Sequence, residues 1–199
     1  PAPHEATFDL DLGAQLFGEY QFDHFGGDAD PSSFHRFELP RVWLWLGASY
    51  RGARARVLLE GTRTGDEAAL FGVDGDSLVV RFREAWAGYR AFDALELRAG
   101  MVPTLIAPQM TALWGLRVIS QSAGRRFELL EPADLGATLS YDLPMDIGRA
   151  SVGFFNGEGY RFRERNRGKS SEFALTLHPL FFAEKLRPLT VFAAYQLGS

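Results

Sequence analysis

Residues 7–23 alternate between apolar and polar side chains over an unusual length, and this alternation constrains the fold most. Even positions from Phe8 to Phe22 are apolar, Gly or Tyr, while odd positions are polar or Gly, except for Phe17. Because successive side chains of a strand point to opposite faces, the segment predicts one strand with an apolar and a wet face. Soluble strands average about 5–6 residues, whereas a tilted membrane strand needs about 9–11 residues in lipid. A long strand of a soluble sandwich or lipocalin is the alternative.

The same alternation recurs along the chain and predicts roughly nine strands. Its regular segments lie at 53–62, 95–101, 134–141, 149–154, 173–178 and 189–197, and two less regular ones lie near 37–51 and 77–90.

The predicted connections alternate between long and short. The long ones are 24–36, 65–76, 102–132 and 156–171, and the short or compact ones are 51–52, 91–93, 142–148 and 179–188. Outer-membrane barrels have short periplasmic turns and longer external loops. We therefore predict an all-β, transmembrane, antiparallel up-and-down β-barrel in a bacterial outer membrane, with a periplasmic N-terminus and lipid and lipopolysaccharide as neighbours.

We expect the barrel to contain more strands than this chain supplies. Nine strands is an odd count, whereas single-chain bacterial barrels have an even number, and the sequence stops at Gln196–Ser199 soon after a strand begins. We expect residues 1–199 to be a single barrel domain that is incomplete at its C-terminus, within a barrel of about 14–18 strands. A barrel of about eight or ten strands, with one strand miscounted, is the alternative.

Composition excludes several classes of protein. The net charge of -4 disfavours nucleic-acid binding, which needs a basic face. The absence of Cys excludes disulfides and Cys-ligated metals. The sequence contains no run of about 18 apolar residues, so it predicts no transmembrane helix. The four His lack metal-ligand spacing. Without a phosphate loop, a nucleophile elbow or a convincing Ser/His pair, we expect no enzyme and no cofactor.

Five short motifs occur in the order found in a known family. They are Arg83–Tyr89, Leu97–Pro103, Ala133–Gly136, Val152–Gly159 and Leu177–Pro179. Together they resemble the phosphate-selective porin O and P family and its wider porin superfamily over about residues 37–198. The resemblance implies a homotrimeric porin that takes up anions such as phosphate. Ala133 stands where the family has Arg, and its lysine-rich ladder has no counterpart here, because Lys occurs only at 169 and 185.

A channel would carry its chemistry on charges that line a wet lumen, because a basic residue facing lipid at mid-depth costs about 2–4 kcal/mol. Strict alternation turns Glu84 towards lipid, so we predict a β-bulge near Arg83 that returns it to the lumen. Acidic and arginine sectors would orient dipolar solutes, and rings of Arg favour anions. Simple cross-strand pairing is the alternative. The predicted pore-lining residues are Asp9, Asp11, Glu19, Arg41, Arg54, Arg56, Glu60, Arg81, Arg83, Glu96, Arg98, Asp134 and Arg149.

The connection 102–132 is too apolar for a solvated loop, and its spacing after Pro108 predicts a short helix. Folded into the barrel, it would narrow the pore. The predicted constriction residues are Leu105, Met110, Leu113, Trp114 and Arg117. We expect Trp43 and Trp45 to face inward and pack beneath this loop, with a contact between protomers as the alternative.

The connection 156–171 is basic. Its residues Arg161, Arg163, Arg165, Arg167 and Lys169 could bind lipopolysaccharide phosphates or gather anions, or they form a solvated charge run.

Two functions follow. One is an outer-membrane porin-like channel for passive diffusion of small hydrophilic solutes, with anions as one candidate class. The other is a plugged structural or scaffold barrel of an outer-membrane envelope complex. A homotrimer and an envelope complex are the candidate assemblies.

Overall fold

The computed structural model describes residues 7–25, 32–63, 78–115, 124, 127, 129–161, 168–186 and 188–198. Within them the chain forms nine strands, as the alternation predicts. The strands are β1 (Asp9–Phe25), β2 (Ser32–Tyr50), β3 (Ala53–Arg63), β4 (Leu78–Ala91), β5 (Leu95–Pro103), β6 (Ala133–Asp142), β7 (Gly148–Phe155), β8 (Ser170–Leu177) and β9 (Val191–Leu197). One α-helix, α1 (Ala107–Trp114), follows β5, and short 3-10 turns lie at Pro144–Asp146 and Glu184–Leu186.

Each strand pairs antiparallel with the next one along the chain, in a single sheet ordered β1 to β9. The all-β, up-and-down prediction is therefore confirmed. Within the described residues, β1 and β9 do not pair with each other, so the sheet is open at both edges.

The connections at one end of the sheet are short because their turns are tight. Tyr50 pairs with Ala53, so β2 and β3 are joined by Arg51 and Gly52 alone, and both residues have positive φ angles of 48° and 82°. This is the geometry of a two-residue hairpin whose twist matches the sheet. A Cβ at Gly52 would lie 2.6 Å from the backbone oxygen of Arg90, which also requires glycine there.

Two predicted connections differ from those in the structure. β1 and β2 continue pairing as far as Phe25 and Ser32, so the connection predicted at 24–36 is only 26–31. Backbone pairing does not require apolar side chains, so polar residues at the end of β1 and the start of β2 still pair. The apolar alternation therefore predicted both strands too short. The connection 178–190 is nearly as long as 156–169, so the alternation of long and short connections fails at the last hairpin, between β8 and β9. It is compact, because backbone hydrogen bonds fold it into consecutive turns.

Two bulges interrupt the pairing. Between β3 and β4, Leu58 pairs with Glu84 and Leu59 with Phe82, which leaves Arg83 as the extra residue. The predicted bulge near Arg83 is therefore confirmed. Between β1 and β2, a second shift places Leu39 and Pro40 opposite Gly18, where a proline costs no ladder hydrogen bond.

The two faces of the sheet have inverted burial. On the apolar face, Leu12 is 81 % exposed and Phe37 86 % exposed, whereas on the polar face Glu60 and Glu96 are each 2 % exposed. A water-soluble fold buries apolar side chains and leaves carboxylates outside. The tightly packed side of this sheet is therefore its charged side.

Candidate functional site

All thirteen predicted pore-lining residues lie on the polar face. Register and contacts place them there: Asp11 meets Arg56, Glu60 meets Arg41 and Arg83, and Glu96 meets Arg54, Arg98 and Arg149. Arg81 pairs in register with Glu60, and Asp134 with Val102. Asp9 and Glu19 share the face by alternation with Asp11 along β1.

Glu60 is the centre of the largest polar cluster. Its carboxylate lies 3.1 Å from Arg41 Nε and 3.4 Å from Arg83 Nη1, and it accepts a hydrogen bond of 3.0 Å from Trp43 Nε1. The hydroxyl of Tyr160 also donates to it, from the connection between β7 and β8. Arg83 lies over the Trp43 ring at 4.3 Å, a cation–π contact that holds the bulge residue in the cluster.

Glu96 on β5 is shared by three arginines. Arg54 on β3, Arg98 on β5 and Arg149 on β7 approach its carboxylate to 3.2, 2.8 and 3.1 Å. β3 and β7 each lie two strands from β5, a backbone separation of about 10 Å. Side chains from both reach one carboxylate because Arg and Glu side chains are long enough to span this distance over the polar face.

The acidic and arginine sectors meet at one cleft. A cavity of about 530 Å³ is lined by Asp9 and Asp11 from β1, by Arg54 and Arg56 from β3, and by Trp86 from β4. Arg56 lies 3.4 Å from Asp11. The cleft thus has carboxylates on one wall and guanidinium groups on the other.

Glu84 lies on the polar face, as the bulge prediction requires. Its carboxylate is 3.4 Å from Arg56 Nε and accepts a 3.3 Å hydrogen bond from Trp86 Nε1. Arg56 therefore bridges the carboxylates of β1 and β4.

Residues 104–115, here called the inner segment, follow β5 and include α1. The segment contains Leu105, Met110, Leu113 and Trp114, and Arg117 lies outside the described residues. The predicted helix is confirmed as Ala107–Trp114, ending at Gly115 with a φ of 65°. Glu172 on the polar face of β8 accepts hydrogen bonds from the backbone N–H groups of Leu105 and Ile106. The start of the segment therefore lies against the polar face.

Trp43 and Trp45 both lie on the polar face, as predicted, and the contacts described for them include ones with neighbouring strands. Most of the later part of the connection 102–132 lies outside the described residues, so the predicted packing beneath it stays a prediction. Trp43 packs edge-to-face with Phe17 at 4.8 Å, which explains why Phe17 breaks the alternation of β1. Trp45 donates a 3.1 Å hydrogen bond to Asp11, and its indole covers Gly13.

The basic connection is only partly described. Arg161 pairs with Glu131, and Lys169 donates a 3.3 Å hydrogen bond to Asn156. Arg163, Arg165 and Arg167 lie outside the described residues, so the role predicted for this connection stays a prediction.

Sequence reasoning missed Glu172, on the polar face of β8, and Tyr160, in the connection between β7 and β8. The predicted strand begins at Phe173, whereas β8 begins at Ser170. Extending the alternation back by one residue would have placed Glu172 on the polar face. Nothing local marks Tyr160, because its partner Glu60 is one hundred residues away.

In the described part of the chain, no three His, Asp or Glu side chains are arranged to hold a metal ion. None of the helices described is long and apolar enough to span a membrane. Comparisons with family models, curated proteins and solved structures give no match to this chain. The resemblance to the porin family remains a prediction.

Proposed function

We propose that this chain forms a transmembrane β-barrel wall in a bacterial outer membrane and serves as a porin-like channel for passive diffusion of small hydrophilic solutes. The observation that carries the proposal is the inverted burial of the two faces. A sheet that exposes Leu12 and Phe37 while burying Glu60 and Glu96 fits lipid outside and a wet, charged interior.

The positions of the aromatic residues on the apolar face fit a membrane of ordinary thickness. Tyr20, Phe22 and Phe37 lie near one end of the face, and Phe8, Tyr50, Tyr89 and Tyr141 lie near the short turns at the other. From Phe8 to Tyr20 the strand rises about 40 Å at about 3.3 Å per residue. A tilt of about 40° projects this to about 30 Å, close to the apolar band and aromatic girdles of outer-membrane barrels.

Unpaired backbone groups are not tolerated in hydrocarbon, so the free edges of β1 and β9 need partners. The proposal therefore includes further strands that close the sheet, in a barrel of about 14–18 strands in total. The interior would then be lined by the polar face, whose carboxylates and guanidinium groups hydrate the path and orient dipolar solutes.

A plugged scaffold barrel of an envelope complex is the second candidate. It is favoured by the start of the inner segment and by Tyr160, both of which contact the polar face and would take up part of a barrel's cross-section. A channel needs the remaining cross-section to stay open.

Recording from planar bilayers with the complete protein separates the two candidates. Stable ohmic steps support the channel, while a silent protein that still shows a heat-modifiable barrel on gels supports the scaffold. Deleting residues 105–119 should raise the single-channel conductance, and an unchanged conductance would remove the constriction from the proposal.

A further inference from the structure

Glu172 is a buried carboxylate that serves a different segment of the chain from its own strand. It lies on the polar face of β8, opposite Gly153 of β7 and Gln196 of β9, and is 3 % exposed. One of its oxygens, Oε2, accepts hydrogen bonds from Leu105 N–H at 2.6 Å and Ile106 N–H at 3.2 Å.

These bonds bring the start of the inner segment to a strand that is not a neighbour of its own. The segment leaves β5, and its anchor is on β8, three strands or about 15 Å of sheet away. Its base is held separately, because Thr104 N–H donates to Pro132 O at 3.2 Å and Thr104 Oγ1 donates to Glu131 O at 2.6 Å. The chain is thus held at three consecutive residues, 104 to 106, immediately before α1.

The chemistry at the start of α1 explains why a carboxylate is needed. The first N–H groups of a helix have no partner within the helix, and the N-cap residue here, Ile106, provides no side-chain cap. Glu172 Oε2 accepts from Ile106, the N-cap residue, and from Leu105 just before it, and its negative charge suits the positive end of the helix dipole. A neutral acceptor would satisfy the N–H groups less strongly.

We propose that Glu172 is the positioning residue that sets the bore of the channel, by holding the start of the inner segment against the polar face. This inference rests on the proposed channel function. Without the carboxylate, the segment keeps its base at Thr104 but loses its hold on β8. It then moves away from the wall, and the narrowest cross-section changes while the barrel strands keep their pairing.

The test compares Glu172→Ala and Glu172→Gln with wild type in the complete protein. Single-channel conductance in planar bilayers measures the bore, and hydrogen exchange of the Leu105 and Ile106 amides in micelles measures the hold on the segment. Thr176→Ala is the matched control, because Thr176 lies on the same strand and face, nearer the short turns.

In Glu172→Ala, we expect the two amides to exchange about tenfold faster or more, since a hydrogen bond to a charged acceptor is lost. We expect conductance to change by about 1.5-fold or more, with a larger spread of open levels, because the narrowest section governs conduction. Glu172→Gln keeps one acceptor oxygen and should lie between the alanine variant and wild type. Thr176→Ala should match wild type in both measurements.

Faster exchange with unchanged conductance in both Glu172 variants overturns the proposal, since Glu172 would then be merely structural. Unchanged exchange overturns it as well, because the carboxylate would not hold the segment. If the alanine variant fails to fold, the glutamine variant decides by the same two measurements. A silent wild type with a heat-modifiable barrel instead overturns the channel function, and with it any role of Glu172 in conduction.

Discussion

The hydroxyl of Tyr160 donates a hydrogen bond to the carboxylate of Glu60, and this bond ties the connection between β7 and β8 to the polar face of β3. Replacing Tyr160 with Phe should lower the free energy of unfolding by about 1–3 kcal/mol, because a buried bond to a charged acceptor is lost. Urea unfolding in liposomes measures the change. Tyr89→Phe is the control, since Tyr89 is exposed on the apolar face. Equal effects of the two substitutions would contradict the role of the bond.

Glu96→Gln should be strongly destabilising, by about 3 kcal/mol, because Arg54, Arg98 and Arg149 lose their shared counter-charge. The estimate is at the low end for a buried pair, since the guanidinium side chains are 26–40 % exposed. In a conducting channel the same change should shift the reversal potential in a salt gradient towards anions. Asp9→Asn is the control for stability, because the side chain of Asp9 has no hydrogen bond or ion pair within the described residues. A shift towards cations would be inconsistent with a pore-lining Glu96.

Gly13→Ala should displace the Trp45 indole. An added Cβ would lie 2.1 Å from Trp45 Cζ2, so the ring must move and lose its hydrogen bond to Asp11. We expect a loss of about 1–3 kcal/mol from overpacking and a shift in tryptophan fluorescence. Gly18→Ala, where the nearest atom is 3.9 Å away, should change neither. Adding Trp45→Ala to the Gly13 variant should recover part of the loss, and failure to recover would mean that the clash is not the cause.

Leu12→Arg separates a membrane barrel from a soluble sheet. Leu12 lies near the middle of the apolar face of β1, where lipid would make the arginine cost about 2–4 kcal/mol. Gln15→Arg, on the polar face of the same strand, should be tolerated. Refolding yield into vesicles, followed by the heat-dependent mobility shift on gels, compares the two. A soluble sheet would accept Leu12→Arg at least as well as Gln15→Arg.

Much of the fold follows from local pattern. Alternation predicts the number of strands and the face of each charged residue, because side-chain direction in a strand depends only on position. It also locates the bulge at Arg83, since Glu84 would otherwise lie among apolar side chains. Composition predicts the ends of β1, β2 and β8 less well, because a polar residue can lie either within the end of a strand or in the connection that follows.

The contacts of the candidate site depend on distant residues. The sequence places Glu60 and Glu96 on the polar face, yet nothing near them identifies their partners. The sequence does not identify Glu172, because β8 begins earlier than its apolar residues suggest. Its partners, the N–H groups of Leu105 and Ile106, also lie 67 and 66 residues away.

By itself the sequence determined a nine-stranded, two-faced sheet, because alternation acts residue by residue along the chain. Only the tertiary structure decided that arginines from β3, β5 and β7 share Glu96, that Tyr160 binds Glu60, and that Glu172 holds the inner segment. These contacts depend on the register between strands and on the order of the strands in the sheet. Both are properties of the assembled sheet, which no single strand carries in its own sequence.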